Sequence, residues 1–192
     1  MNKKIIEVSM KWIFPSIKNR SVDLEDKLFN FRLEKAREQY IQACKSELDE
    51  KYLVDCVNEF LDQLGMMKIT NPKIVLKNTE SHRISYSKIR SEYGNQKDDI
   101  VWIKLSVSES GIKMISVIGT SEDIFFTKNT KNKSSSGKIN EKLKLEWVED
   151  YVYIFPLLNI PEGLYRSDIE SGIGNYLIDK GFPILDYYSH NY

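Results

Sequence analysis

The sequence is poor in cysteine and histidine, from which disulfide frameworks and many metal and nucleophile sites are built. Its only cysteines are Cys44 and Cys56, too few for a disulfide-stabilised fold, so we expect reduced thiols. Its only histidines are His82 and His190, too few for a histidine-based metal site. Both cysteines fall on apolar helical stripes, where a thiol is usually a small buried hydrophobe. We therefore predict no cofactor and no cysteine catalysis.

Neither charge is in excess, and long apolar runs are absent. The 28 basic and 28 acidic residues cancel, so no overall field draws the chain towards nucleic acid or an anionic membrane. No apolar run is long enough for a membrane span. Glu7, Ser9 and Lys11 interrupt the place where a signal peptide would have its apolar region. We therefore expect a cytoplasmic protein that does not enter the membrane.

Core-forming residues are plentiful, since 41% of the 192 residues are hydrophobic and 11% are aromatic. This excludes disorder throughout and is enough for one domain spanning 1–192. Residues 21–65 have the pattern of a helical pair, 73–157 that of a mostly antiparallel sheet, and 166–192 that of a short C-terminal helix with an aromatic tail. We predict an α+β fold with five to seven strands and the two N-terminal helices packed on one face.

The second of the two N-terminal helices has the clearest pattern. Ser46 and Asp49 have capping-box spacing, and Gly65 stands where a C-terminal cap belongs. The first helix is predicted over residues 22–45. The second carries a continuous apolar stripe: Leu48, Tyr52, Leu53, Cys56, Val57, Phe60, Leu61 and Leu64.

Alternating apolar residues predict the strands. Residues 100–108 and 112–118 form the best hairpin candidate, with Gly111 in the turn. Residues 4–14 alternate cleanly and predict a core strand or an edge strand that pairs with a partner chain. Further strands are predicted at residues 73–77, 82–90, 123–128, 143–147 and 151–155, and the short turns between them predict a meander.

Residues 128–144 are the one low-complexity stretch and are predicted to form a long, mobile, basic loop. The Ser-Ser-Ser-Gly-Lys run at 134–138 is not a P-loop, because Asn132 replaces the first glycine and Ile139 replaces the Ser or Thr that would hold magnesium. Lysines in such a loop contact phosphates without reading base sequence, or merely keep the loop solvated. The candidate nucleic-acid contacts are Lys128, Lys131, Lys133 and Lys138.

Acidic pairs punctuate the predicted strands and supply the candidate metal ligands Asp99, Asp123 and Asp150. If their turns lie at the same end of the sheet, the carboxylates converge on a divalent cation, as a metal-dependent nuclease requires. The alternative is local hydrogen bonding, which makes acidic residues common at turns.

Aromatic residues are concentrated in the last fifth of the chain, where a helix is predicted over residues 168–180 with Ser167 and Glu170 at capping-box spacing. Buried core tyrosines and exposed interface tyrosines have the same sequence pattern. As an interface, this region would use Tyr165, Arg166, Tyr187, Tyr188, His190 and Tyr192.

These observations favour a non-catalytic protein that binds another protein or a second copy of itself. The preference for lysine over arginine suggests a bacterial or phage origin, where small proteins are often inhibitors, immunity proteins or subunits of larger assemblies. The alternative is a nucleic-acid-binding protein or metal-dependent nuclease that uses the basic loop and the acidic turns. A third hypothesis is a small-molecule pocket around Gly172, Ile173 and Gly174 and the tyrosines of the tail. No motif is specific enough to assign a family.

Overall fold

The computed structural model describes residues 22–75, 99–121 and 134–187. Within them the chain has four helices and one antiparallel sheet of five strands, which confirms the α+β class. No helix in these ranges is long and apolar enough to cross a membrane. In chain order the elements are α1 (Val22–Ala43), α2 (Glu50–Gln63), β1 (Lys73–Val75), β2 (Ile100–Val107), β3 (Lys113–Ser121), α3 (Ser135–Lys142), β4 (Glu146–Trp147), β5 (Tyr151–Pro156) and α4 (Arg166–Asp179).

The sheet has the order β1-β5-β2-β3 rather than that of the predicted meander. Strand β3 pairs along one edge of β2, while β4 and β5 both pair with the other edge. The predicted hairpin between residues 147 and 151 is therefore wrong. The two short strands follow one another along β2, and the Val148 amide donates to the Leu105 carbonyl between them at 3.0 Å.

The predicted β2–β3 hairpin is confirmed, with Gly111 at a φ of +83° in its turn. The pairing register shifts between Lys104 and Leu105, which leaves one extra residue in β3. Met114 and Ile118 are four residues apart, so regular alternation along the strand predicts that they lie on the same face. Because of the irregularity, they lie on opposite faces of the sheet. Ile118 joins the core beneath α2 and α4, whereas Met114 lies in a second core cluster.

The two N-terminal helices lie on opposite faces of the sheet, which corrects the prediction that they share one. The apolar stripe of α2 packs with α4 on the face that includes Val101, Ile103 and Ile115. Helix α1 packs instead on the other face, where its Ala36 and Ala43 join Met114 and Ile139 of α3 in the second core cluster. Each sheet face is thus covered by one N-terminal and one later helix.

Residues 135–142 form helix α3 where the sequence predicted a mobile loop. Ser134 caps it, since its hydroxyl accepts a hydrogen bond from the Gly137 amide at 3.1 Å. Ile139 and Asn140 are buried against the sheet and α1, while Lys138 points into solvent. Buried polar residues obscured this amphipathic pattern in the sequence.

Two helices begin at residues other than those predicted. Helix α2 starts after Asp49, whose carboxylate accepts from the Tyr52 amide at 2.9 Å, so Ser46 is not its cap. Helix α4 starts two residues early, and Asp168 accepts from the Tyr165 amide at 2.8 Å. Cys44 also departs from the prediction: it is exposed just beyond α1.

Gly172 allows α2 and α4 to approach closely. A Cβ at this position would lie 2.4 Å from Cζ of Phe60, so only glycine fits here without displacing the ring. Close helix packing accounts for this glycine inside α4. The strands predicted at 4–14, 82–90 and 123–128 fall outside the described residues.

Candidate functional site

An open groove runs beside the connection between α1 and α2. Two adjoining cavities of about 420 and 160 Å³ form it. The larger extends along the β2–β3 turn and the smaller along residues 180–183. The larger one falls in the size range of ligand pockets. We call this feature the α1–α2 groove, and both cavities share the lining residues Ala43, Ser46, Glu47, Leu48 and Lys113.

The smaller cavity contains an aromatic pair. The rings of Tyr52 and Phe182 stack with their centroids 5.4 Å apart and an angle of 28° between their planes. Tyr52 is 45% exposed, whereas Phe182 is buried and anchored in the core of α2 and α4. Leu48 and Pro183 extend the apolar surface beside the pair. Stacking holds an exposed ring in one orientation, which suits it to contact a partner at low entropic cost.

Glu50 borders the larger cavity and receives hydrogen bonds from three strands. It is the first residue of α2, and its carboxylate accepts from Lys73 of β1 at 2.8 Å and from Lys113 of β3 at 3.1 Å. From β5, Tyr151 donates at 2.5 Å, and Tyr153 also donates to the second oxygen. One carboxylate therefore joins the start of α2 to β1, β3 and β5.

This arrangement fixes the charges at the groove. Partial burial works against ionisation of Glu50, but the hydrogen bonds from Lys73, Tyr151, Tyr153 and Lys113 together lower its pKa to about 2. Burial first, and then the Glu50 carboxylate, raise the pKa of Tyr153. The hydrogen bonds to Tyr151 and Glu50 raise the pKa of Lys113. At neutral pH this is a permanent ion cluster, not a general acid or base.

Lys113 retains donor capacity towards the groove. Its ammonium has three N–H groups, and it donates to Glu50 and to the Tyr151 hydroxyl, each at 3.1 Å. The side chain is 44% exposed and lines both cavities. The ion cluster holds Lys113 in place, so a remaining N–H can meet an acceptor from a bound molecule.

A second charged cluster lies buried on the opposite face of the sheet. Arg32 of α1 donates to Asp186 through Nη2 at 2.5 and 2.6 Å and through Nε at 3.0 Å. Ser136 of α3 also donates to this carboxylate, and Arg32 donates to the Ser135 hydroxyl at 2.9 Å. The paired side chains are 7% and 1% exposed. This cluster therefore joins α1, α3 and the C-terminal segment in the interior.

The structure describes three of the six predicted partner-binding residues. Tyr165 is 74% exposed at the start of α4. Arg166 beside it forms a 2.8 Å ion pair with Asp99. Tyr187 is half-buried, with its ring against Gly174. Neither Tyr165 nor Arg166 lines the groove, and Tyr188, His190 and Tyr192 lie outside the described residues.

The candidate metal ligands are not brought together where the structure describes them. Asp99 precedes Ile100, which pairs with the last residue of β5, whereas Asp150 precedes the first residue of β5. The two carboxylates thus lie at opposite ends of one strand. Asp123 lies outside the described ranges. Within those ranges, no three His, Cys, Asp or Glu side chains are grouped so that they could hold a metal ion.

The candidate nucleic-acid contacts are described only in part. Lys138 is exposed on α3, followed closely by exposed Lys142 and Lys144. The other three predicted contacts, Lys128, Lys131 and Lys133, fall outside the described ranges.

Sequence patterns missed the groove because its residues meet only through tertiary packing. Glu50 and Tyr151 are 101 positions apart, and Tyr52 and Phe182 belong to different segments. One signal was present: Tyr151 and Tyr153 alternate in a strand, so their hydroxyls share a face. A comparison with known protein families, curated proteins and solved structures finds no match.

Proposed function

We propose that this protein is a non-catalytic binding protein that recognises a protein partner through the α1–α2 groove. The observation that carries the proposal is the exposed Tyr52 ring, held by stacking on Phe182 at the edge of an open cavity. Rigid aromatic side chains beside a pocket are frequent hot spots of protein interfaces. An accessory role in a larger assembly, as an inhibitor or a subunit, fits this binding mode.

The two halves of the groove select the chemistry of the partner. An apolar side chain of the partner enters the 160 Å³ cavity, where it contacts Leu48, Tyr52 and Phe182. A carbonyl or carboxylate next to it accepts a hydrogen bond from Lys113 in the larger cavity. Glu50 contributes by positioning Lys113, because its own oxygens are already occupied by four donors.

The first test compares two exposed tyrosines as bait variants in a pull-down at moderate and high salt, with nuclease treatment. We expect the wild-type chain to retain a stoichiometric protein partner in high salt. Tyr52→Ala should weaken its binding by about 30-fold, the effect of truncating a hot-spot side chain that contributes roughly 2 kcal/mol. Tyr165→Ala is the matched control and should retain the partner. The opposite pattern would place the interface at the start of α4 and overturn the role of the groove.

A second candidate function is nucleic-acid binding, favoured by the exposed Lys138, Lys142 and Lys144 on and after α3. Replacing all three with glutamine should weaken binding to single-stranded nucleic acid. It should also reduce the slope of the logarithm of the binding constant against the logarithm of the salt concentration, by about one unit for each phosphate that a lysine no longer neutralises. Lys51→Gln, a surface change on α2, is the control. An unchanged slope in an electrophoretic or fluorescence titration would remove these lysines from the interface.

A further inference from the structure

The outer edge of β3 has main-chain hydrogen-bonding groups that open on the α1–α2 groove. At the hairpin turn, the Ser108 amide donates to the Ile112 carbonyl at 3.0 Å, so these two residues form a hydrogen-bonded pair. Hydrogen-bonded and non-hydrogen-bonded pairs alternate along an antiparallel ladder. The next pair, Val107 with Lys113, is therefore not hydrogen-bonded. The amide and carbonyl of Lys113 consequently point away from β2, and Lys113 is an exposed residue of the groove.

The chain already adds a segment of its own to this edge. The Leu185 amide donates to the Ile115 carbonyl at 3.0 Å, and Ile115 and Ile184 form a parallel bridge. Residues two apart in a strand present their main-chain groups at the same edge. The Lys113 amide and carbonyl therefore lie at this edge just before the added segment begins, and in the part of the chain that the structure describes they have no main-chain partner.

The side chains beside this edge define two positions for an added strand. Lys113 points to the face that α2 covers, because Ile115, two residues later in β3, lies in the core beneath α2 and α4. A residue opposite Lys113 in an added strand has its side chain on the same face, beside the Lys113 ammonium. The residue two positions further towards Pro183 also has its side chain on that face, where the smaller cavity contains Tyr52 and Phe182.

The charge at this edge selects the residue that lies opposite Lys113. Lys73 and Lys113 both donate to the single carboxylate of Glu50, so two positive charges and one negative charge leave the cluster with a net charge of +1. Lys45 and Glu47, which are exposed in the larger cavity, offset each other. An acidic side chain opposite Lys113 therefore neutralises the cluster, whereas a basic one is repelled.

We propose that the protein partner enters the α1–α2 groove as an extended strand that adds to the edge of β3 at Lys113. An acidic residue of this strand lies opposite Lys113, and an apolar residue two positions away occupies the smaller cavity. This inference rests on the proposed function and adds the conformation and the sequence pattern of the segment that is recognised. In strand addition, main-chain hydrogen bonds supply affinity and alternate side chains supply specificity.

Selection of random heptapeptides displayed on phage, with the full chain as bait, is the first step of the test. Enriched peptides should share an acidic residue and an apolar residue separated by one position. Their binding should be weakened by Tyr52→Ala and unaffected by Tyr165→Ala, as expected for the groove. Enrichment of peptides without this spacing would overturn the proposed sequence pattern.

Amide hydrogen exchange of the full chain with one selected synthetic peptide is the second step. In the free chain, the Lys113 amide should exchange rapidly, whereas the Met114 amide, which pairs with Ser106, should be protected. Peptide at about 100 times its dissociation constant should slow exchange of the Lys113 amide about 100-fold, because exchange then occurs only from the unbound fraction. A bound peptide that depends on Tyr52 but leaves the Lys113 amide unprotected would overturn strand addition and leave the groove as the binding site.

A lysine variant separates the charge from the main-chain contacts. Lys113→Gln keeps the edge of β3 and should weaken the peptide by about fivefold, the effect of losing a partly exposed ion pair, while the bound peptide still protects the amide of residue 113. Lys138→Gln, an exposed change on α3, should bind as the wild type does. Protection of the Lys113 amide that rises with protein concentration in the absence of peptide would assign the edge to a second copy of the chain and overturn the proposal.

Discussion

Replacing Arg32 with methionine is expected to lower the free energy of unfolding by about 3–5 kcal/mol at neutral pH, because it leaves the buried Asp186 charge without its partner. Asp186 is 1% exposed in its side chain and receives three hydrogen bonds from Arg32. Removing the guanidinium also removes the donor to Ser135, which weakens the attachment of α3 to α1. Urea denaturation followed by circular dichroism measures the change.

Two further variants separate the effect of the unpaired charge from that of altered packing. Adding Asp186→Leu to Arg32→Met removes the stranded carboxylate, so the double variant should regain much of the stability. Lys51 and Asp55 form an ion pair on the surface of α2 with side chains 86% and 57% exposed. Lys51→Met should therefore leave the free energy of unfolding almost unchanged. Equal losses of stability for Arg32→Met and Lys51→Met would contradict a structural role for the buried pair.

Elements whose patterns are local could be predicted from the sequence. Helix α2 has a continuous apolar stripe that ends at a glycine, and Gly65 takes a φ of +72° there. The β2–β3 hairpin was predicted from two alternating runs around Gly111. In both cases one face is apolar and the terminating residue is glycine, so periodicity and turn chemistry agree.

Helix α3 was missed because its buried face is largely polar. Asn140 donates to the Ser106 hydroxyl at 2.7 Å, and the Ser116 hydroxyl donates to Asn140 at 3.0 Å. Ser136 lies on the same buried side and bonds to Asp186. Periodicity identifies helices by apolar residues, so a helix that packs through satisfied hydrogen bonds resembles a loop in sequence.

The groove could not be predicted because sequence patterns report which side chains share a face and not which elements meet. The helix dipole by itself accounts for an acidic residue in the first turn of a helix. The sequence around Glu50 therefore gave no indication that its side chain contacts three strands. Tyr187 shows the same limit: aromatic content marked it as an interface or core residue, and its half-buried position against Gly174 follows from the path of the chain after α4.

Glu50 and Glu170 act on stability in opposite pH ranges. The pKa of Glu50 is lowered in the folded state, so its contribution is complete above about 4.5 and is lost as the pH falls towards 2. The pKa of Glu170 is raised, so its effect on stability becomes unfavourable as the pH rises from 4.5 towards 8. These two carboxyl groups by themselves place the greatest stability near pH 4.5, where the folded and unfolded states bind equal numbers of protons.

Replacing Glu50 with alanine is expected to cost about 2–4 kcal/mol of unfolding free energy at pH 6, because four donors are left without their charged acceptor. Hydrogen bonds to a charged group contribute about 1.5–3 kcal/mol each, but Glu50 is 23% exposed, so water replaces part of this stabilisation. Glu47→Ala changes an exposed acid of the same connection and should cost less than about 0.5 kcal/mol.

The pH dependence of Glu50→Gln distinguishes the charge from the contacts. Glutamine keeps the size of the side chain and an oxygen acceptor but cannot ionise. The wild type should lose stability when acidified from pH 5 to pH 3, since Glu50 begins to bind a proton in the unfolded state before it does so in the folded state. Glu50→Gln should lose less over the same range in parallel urea titrations. Equal losses would mean that the ion cluster does not stabilise the folded chain through the charge of Glu50, and Lys113 would then lack the fixed position that the proposed partner site requires.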